Sequence, residues 1–343
     1  TNPQGSNSMV KTDYIRVGDR VSKTWTVGSS GCDFTALNDA FTNSFLEDGD
    51  TIFVYNGSYT LTASTTKVLT ILGEGADVVT VNPTSATISG AGTVVEGMTF
   101  SSGGLITFGS ANGIIRNCTF QGMTGGAILS GAGIVFEENT VRNNTINQPI
   151  DVTGNDCLIT NNTFAYNGLL PSGTQTPIRL NGCSGVTVAW NDFTGNTGGI
   201  GLRASGAGNA IYLNNFAGYN VAVRSSGGAT PQAITWNAPA VIDYTYNGAS
   251  HSGLLGNYWS TYTSTDANGD GVGDTAYSLP VTGQIDNHPL TDRVRYYFGA
   301  EHVITSIGIA PASATMNVTD TLQLAATAYE ADGYPAPGIA FAW

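Results

Sequence analysis

Apolar and polar positions between Val94 and Val223 follow one short pattern. A few β-branched or apolar residues come first, then an Asn, a polar residue, and Phe or Val. It reads Gly-Ile-Ile-Arg-Asn-Cys-Thr-Phe at 113–120 and Gly-Ile-Val-Phe-Glu-Glu-Asn-Thr-Val at 133–141. It returns as Cys-Leu-Ile-Thr-Asn-Asn-Thr-Phe at 157–164, Val-Thr-Val-Ala-Trp-Asn-Asp-Phe at 186–193 and Ala-Ile-Tyr-Leu-Asn-Asn-Phe at 210–216. The anchors Phe100, Phe120, Val141, Phe164, Phe193 and Phe216 are spaced 20, 21, 23, 29 and 23 residues apart. A unit this short cannot bury its own apolar face, so neighbouring units must stack into one continuous core.

The segments are three to five residues long, rich in Val, Ile, Thr and Phe, and bounded by Gly, Asn and Ser. None of them carries the 3.6-residue period of an amphipathic helix, which argues against leucine-rich and helical repeats. A parallel β-helix fits, each coil pairing with the next at about 4.8 Å. An antiparallel β-sandwich with Asn-rich turns is the alternative, but hairpins do not require a fixed return. Asn suits the strand ends, because it tolerates the left-handed region and its amide can bond to the same position one coil away. The long step holds Leu169 to Pro177, which should loop out from one coil.

Outside the repeats the period changes. Tyr14–Val17 and Trp25–Val27 read as short strands. Phe34, Leu37, Phe41, Phe45 and Leu46 then share one helical face, with Asp33 or Thr35 as the cap, and this helix should seal the first coil. Beyond the coils come Leu255–Tyr262, Thr265–Tyr277 and Ile285–Leu290. From Val303 the chain alternates strictly, in Ile304–Met316 and Thr321–Tyr329, with Asp332-Gly333 as a turn and Phe341–Trp343 opening another strand. The expected plan is all-β: N-terminal strands and capping helix over 1–50, coils over 51–247, a C-terminal cap over 248–300, and a further β module over 301–343.

Composition narrows the setting. The 343 residues include 45 Gly, only 11% are charged, and lysine is confined to Lys11, Lys23 and Lys67. Such a surface is typical of extracellular β-proteins. A net charge of −13 leaves no basic stripe for nucleic acid, and it is compatible with divalent cations and salty surroundings. No run of 18 apolar residues spans a membrane. Thr1-Asn-Pro-Gln-Gly reads as a mature or trimmed N-terminus. Of the four cysteines, Cys32, Cys118, Cys157 and Cys183, the last two lie on successive coils and are the candidate disulfide; four buried free thiols are the alternative. Sequons stand at Asn56, Asn117, Asn143, Asn161 and Asn317. Asn117 and Asn161 are read as turn residues inside the stack, which leaves Asn56, Asn143 and Asn317 as glycan acceptors.

The strongest local chemistry is Asp266-Ala-Asn268-Gly-Asp270-Gly271-Val272-Gly-Asp274. Oxygen side chains at positions 1, 3, 5 and 9, with Gly at 6, match the first part of a calcium loop, and Val272 would add its carbonyl. Position 12 is Tyr277 rather than Glu, so Asp286 or water must supply the missing ligand of a structural calcium ion. Catalysis is less well served. A lyase needs a base beside acidic calcium ligands. The coil arginines, Arg116, Arg142, Arg179, Arg203 and Arg224, read better as structural. The coil carboxylates, Glu137, Glu138, Asp151, Asp156 and Asp192, form no convergent pair, and adjacent Glu137 and Glu138 face opposite ways.

Asp33-Phe-Thr, a helix, Gly49-Asp-Thr-Ile-Phe-Val, Asn56-Gly-Ser-Tyr and the later Asn-x-Phe coils resemble the right-handed parallel β-helix proteins of the pectate-lyase and NosD-like class, over roughly 24–292. The resemblance is specific for fold and weak for activity, since that class includes lyases, hydrolases, tail spikes, adhesins and surface-layer components. The Leu255–Leu290 set resembles the C-terminal module of archaeal surface β-helix proteins. From Val303 the chain resembles the first half of a bacterial-type Ig-like (group 2) domain. A complete one needs about seven strands, so a longer parent chain or a neighbouring molecule would finish it. The NosD-like likeness also brings copper, but Met9, Met98, Met123, Met316 and the three histidines are scattered along the chain, and copper is set aside. The leading expectation is a non-enzymatic, self-associating subunit of a cell-surface layer, sheath or adhesive appendage. A polysaccharide lyase or hydrolase is the alternative. So is a spike that contacts cell-wall or surface glycans through Tyr166, Trp190 or Tyr219.

Overall fold

The computed structural model describes residues 21–168, 176–196, 200–203, 206–217, 223–226, 234–280, 283–315, 321–336, 339 and 341. The strand expected at Tyr14–Val17, the bulk of the Leu169–Pro177 insertion, Tyr219 and Asn317 lie outside them. Among the described residues no helix is long and apolar enough to cross a membrane.

Short strands return in parallel to three sheets, two of nine strands and one of seven. The first sheet runs from Thr24–Val27 to Ala210–Tyr212. The second runs from Gly57–Leu61 to Tyr258–Trp259, and the third from Ala86–Ile88 to Val223–Ser226. This is the parallel β-helix that the repeat implied. Register confirms the spacing: Phe100, Phe120, Val141, Phe164, Phe193, Phe216 and Trp259 lie directly over one another. In most three-residue strands of the second sheet the central side chain is buried and its neighbours face outward, as the two-residue period of a strand requires. Phe164, Phe193, Phe216 and Trp259 stack at 4.4–4.8 Å with ring planes within 15° of parallel. Each fully buried ring contributes about 1.5–3 kcal/mol.

The corner between the first and second sheets is built on Asn, one residue later than the sequence suggested. Asn117, Glu138, Asn161, Trp190 and Leu213 take left-handed φ of 51–63°. That bend turns the following residue inward. The inward column is Cys118, Asn139, Asn162, Asn191, Asn214 and Asn257, all buried. Each Asn Oδ1 accepts the backbone N–H of the equivalent residue one coil earlier, at 2.9–3.1 Å. Its Nδ2 donates to a carbonyl of that earlier coil, namely Ile115, Phe136, Ile159, Val188 and Ile211 in turn. Asn117 and Asn161, expected inside the stack, are therefore its exposed bend residues. A second column, Asn144, Asn167 and Asn196, repeats the device three residues after each anchor.

At the first coil the helix is shorter than its period implied, spanning Leu37–Thr42. Leu37, Ala40 and Phe41 are buried, whereas Phe45 lies beyond the last turn and is 71% exposed. Its N-cap is Ala36, without a side-chain cap. Asp33 instead accepts from the amide and hydroxyl of Thr26, both at 2.9 Å. The strand Thr24–Val27 already pairs with Thr51–Val54, so the stack begins before residue 51. At the other end an antiparallel hairpin, Ile242–Tyr246 with Ala249–Gly253, packs a separate apolar cluster of Leu213, Tyr244, Tyr246, Leu255, Leu290, Val294 and Tyr297. Ser306–Ala310 and Ala325–Tyr329 then form an antiparallel pair, as the alternation after Val303 required.

The ladder makes a sharp prediction. Asn191→Ala leaves the buried amide of Asn162 without its acceptor and should cost about 2–4 kcal/mol from unpaired groups and cavity together. Asn161→Gly, one residue before the same column, should change stability by less than about 0.5 kcal/mol. Urea denaturation of both variants reads the difference, and equal costs would refute the ladder.

Candidate functional site

The C-terminal end of the coils gathers the polar residues that the sequence singled out. The inward Asn column must stop somewhere, and its last backbone N–H needs an acceptor. Asp286 supplies it. Its strand, Ile285–Asp286, pairs antiparallel with Tyr277–Ser278 and places the carboxylate under the last coil. Oδ2 accepts from Asn257 N at 2.9 Å, from Trp259 Nε1 at 2.9 Å and from Asn257 Nδ2 at 3.3 Å, and Oδ1 accepts from His288 N at 3.0 Å. Asp286 is fully buried. Burial pushes its carboxyl up to about 6, against the hydrogen bonds that favour its ionised form. The structure places Asp286, the residue expected to complete a calcium ring, at the end of the ladder, with both oxygens accepting hydrogen bonds.

The Asp/Gly loop lies nearby. Asp266 accepts from the amides of Asp270 at 3.1 Å and Gly271 at 2.8 Å, and Asp270 accepts from Val272 N at 2.8 Å. Asn268 Nδ2 donates to Asp270 at 2.8 Å. Asp274 turns to the loop mouth, where Thr265 Oγ1 and Ala267 N donate to it at 2.6 and 3.1 Å. Gly271 takes φ 84°, and a Cβ there would lie 2.5 Å from Tyr297, so only glycine lets the loop close on the cap. Among the described residues no three His, Cys, Asp or Glu side chains form a group that could hold a metal ion.

The coil arginines form rungs between successive coils. Arg116 Nε donates to Glu96 at 2.8 Å, Arg142 Nε to Gln121 at 3.0 Å, and Arg179 grips Asp151 with two nitrogens, Nε at 2.9 Å. In each case the partner is the directly paired residue of the adjacent strand. The side chains of Arg203 and Arg224 lie outside the described set.

The cysteine bridge is also corrected. Cys157 and Cys183 are free thiols. Strand register sets Leu158 on Thr187, which aligns Cys157 with Val186 rather than Cys183. Burial pushes the thiols of Cys118 and Cys183 up to about 12 and about 11, and that of Cys157 in the same direction. Of the glycan acceptors, Asn56 and Asn143 are exposed. Of the aromatics, Tyr166 is 59% exposed, whereas Trp190 packs on Phe298 at 4.4 Å.

Sequence reasoning missed one cluster. His302 bridges Asp292 and Glu330, each at 3.0 Å, and the hydroxyls of Tyr334 and Tyr296 donate to the same two carboxylates. This network ties the final antiparallel pair to the solenoid's end. Its members span residues 292–334, so no local motif announces it.

Residues 43–264 match the family described as "Periplasmic copper-binding protein (NosD)". Among curated proteins none matches the chain. Solved structures are among the matches, two of which serve as examples. One is an alginate lyase from Paenibacillus, with 15% identity over 62% of this chain and 74% of that one and a TM-score of 0.39. The other is the pectin methylesterase PemA from Erwinia chrysanthemi, with 10% identity over 72% and 92% and a TM-score of 0.38.

The buried terminator carries a pH prediction. A carboxyl whose folded pKa lies above its unfolded value of about 4 favours folding while protonated. Its contribution is complete below about pH 4 and is lost as pH rises through about 6. Relative to Asp286→Asn, the native protein should therefore lose up to about 3 kcal/mol between about pH 4 and pH 7. Urea midpoints measured across that range check it; parallel curves for the two proteins would contradict it.

Proposed function

We propose a non-catalytic structural role for this chain, which belongs to the NosD family of β-helix proteins, the match covering well over half of its length. In this reading it is an extracellular building block of a surface layer, sheath or appendage. One observation carries the proposal: the corner amides of successive coils are satisfied by buried Asn columns, and the inner column ends on a dedicated carboxylate, Asp286. Such an interior specifies rigidity and length. The outward charges support the same reading, since Arg116 and Arg179 are each held by a carboxylate of the adjacent coil.

The family description names copper. The soft and imidazole donors described in this chain do not suit it. Met98 and Met123 are buried in the core, and the Cys118 and Cys157 thiols face backbone carbonyls. Both nitrogens of His302 are engaged by carboxylates, and although His251 Nε2 and His288 Nδ1 are buried without a partner, neither belongs to a group of three His, Cys, Asp or Glu side chains among the described residues. No copper step is assigned.

Calcium belongs to the proposal through Asp266, Asn268 and Asp270, completed by the Val272 carbonyl and water, with Asp274 at the loop mouth. All are oxygen donors of the kind calcium takes. Assembly would use the final antiparallel pair, whose Ile307 and Ile309 are 58% and 50% exposed. An Ig-like completion by further strands, and an archaeal cell surface, are part of the same proposal.

Two measurements test it. Millimolar calcium should raise the melting temperature of the native protein and leave that of Asp270→Ala unchanged; no shift in the native protein removes calcium from the proposal. Electron microscopy of the protein should show regular sheets, tubes or fibres that Ile307→Asp with Ile309→Asp abolishes. Isolated monomers under all conditions, or cleavage of a polysaccharide by the purified chain, would overturn the structural reading.

A further inference from the structure

Three successive strands of the second sheet, Thr163–Ala165, Asp192–Thr194 and Asn215–Ala217, floor a cleft of about 310 Å³. Strand register fixes what the floor presents. Thr163, Asp192 and Asn215 form one outward rung, and Ala165, Thr194 and Ala217 form the next. Asn215 binds the floor together: its Nδ2 donates to Asp192 Oδ1 at 2.5 Å. Its Oδ1 accepts from Val294 N at 2.9 Å, which draws the 293–295 segment alongside as a wall. Arg293, Arg295 and Asp332 line that wall.

Tyr166 forms the opposite wall. It takes a left-handed φ of 54°, and its ring lies over Gly195, where a Cβ would come within 2.5 Å of Cδ1. Glycine at 195 therefore allows the ring to lie flat against the corner with its outer face free. The residue is 59% exposed although it borders a cleft.

We infer that this cleft is a binding site for one neutral pyranose ring of a glycan. Four features point there. The volume is at the lower end of small-molecule sites, about 300–1,000 Å³, which suits a single sugar unit. An exposed aromatic face offers apolar surface to the C–H face of a pyranose without burying its hydroxyls. On the floor, a carboxylate, an amide and threonine hydroxyls stand in register one strand apart, supplying both donors and acceptors for neighbouring hydroxyl groups. Charge then selects against acidic sugars. Arg293 is paired with Asp332, and Arg295 with the buried Glu330, which leaves Asp192 as the cleft's uncompensated charge among the described residues. A uronate or sulfated ring would meet that carboxylate without a free cation. This inference does not rest on the structural reading above, since a building block and a monomeric adhesin could both carry the site.

The test is titration calorimetry of the whole chain with the methyl pyranosides of glucose, galactose, mannose and N-acetylglucosamine, and with glucuronate for comparison. At least one neutral glycoside should bind in the millimolar range, more tightly than glucuronate. Tyr166→Ala and Asp192→Asn should each weaken it by about tenfold or more while leaving the melting temperature unchanged, since both side chains are exposed. Gly195→Val, which displaces the ring, should reproduce the Tyr166→Ala loss. Absence of binding to all four neutral glycosides, preference for glucuronate, or binding that survives both Tyr166→Ala and Asp192→Asn would overturn the assignment.

Discussion

A buried backbone amide must find a partner, and a β-helix meets that constraint anew at every corner. Along the strands the next coil supplies the bonds. At the corner the chain turns through a left-handed residue, the ladder of strand bonds breaks, and the amide that follows points into the core. Water cannot reach it, so a side chain must. Asn suits this position because one amide group both accepts and donates. Asn191 takes the amide of Asn162 on its oxygen and reaches the carbonyl of Ile159 with its nitrogen, at 2.8 Å. A hydroxyl does the same at another corner, where Thr93 Oγ1 accepts from Leu69 N and donates to Lys67 O, whereas an ionised carboxylate has no proton to donate. A left-handed backbone at Glu138, Trp190 or Leu213 costs about 1–2 kcal/mol each, and the column offsets it by satisfying two polar groups per coil.

This device has a direction, and the direction dictates both ends. Every oxygen serves the coil before it, so the last Asn presents a backbone N–H that no further Asn can accept. Asp286 resolves this with an acceptor-only group, whose second oxygen takes His288 N and pins the chain's return. Desolvation of that carboxylate is a standing cost, visible in its raised pKa. At the start of the column sulfur replaces the amide: Cys118 and Met98 occupy the same register, and the Cys118 thiol donates to Arg116 O at 3.2 Å.

The fold was legible in the sequence because its signal is periodic. Anchors such as Phe164 and Phe193 sit at fixed returns, and the register follows. Phase was harder to read. In Asn161-Asn162 both residues carry the same letter, yet one is an exposed bend and the other a buried ladder member, and only the φ value and the partner one coil away separate them. The ends were legible in part. The helix over Leu37–Thr42 and the pair Ser306–Ala310 with Ala325–Tyr329 announce themselves by local period. Asp286 resembled a calcium ligand because an Asp near an Asp/Gly loop invites that reading. Its true partners, Asn257 and Trp259, lie 29 and 27 residues away and carry no shared motif. The Cys157–Cys183 pairing failed for a related reason. Sequence spacing gives the coil, while disulfide geometry demands the exact rung.

Because the interior is self-satisfied, the outer surface is free to vary. A core mutation in such a stack disturbs two coils, whereas an outward residue touches only its rung. The same lattice that sets Arg116 on Glu96 and Arg179 on Asp151 sets Asp192 between Thr163 and Asn215. In the first two rungs the charges close on each other and leave nothing for a ligand. In the third, the carboxylate meets an amide and a hydroxyl, and a segment from beyond the cap closes over it through Asn215 and Val294. One rung geometry thus yields either a structural clamp or a recognition surface. The difference lies in which outward residue flanks the buried anchor, and in whether the chain returns to wall the groove.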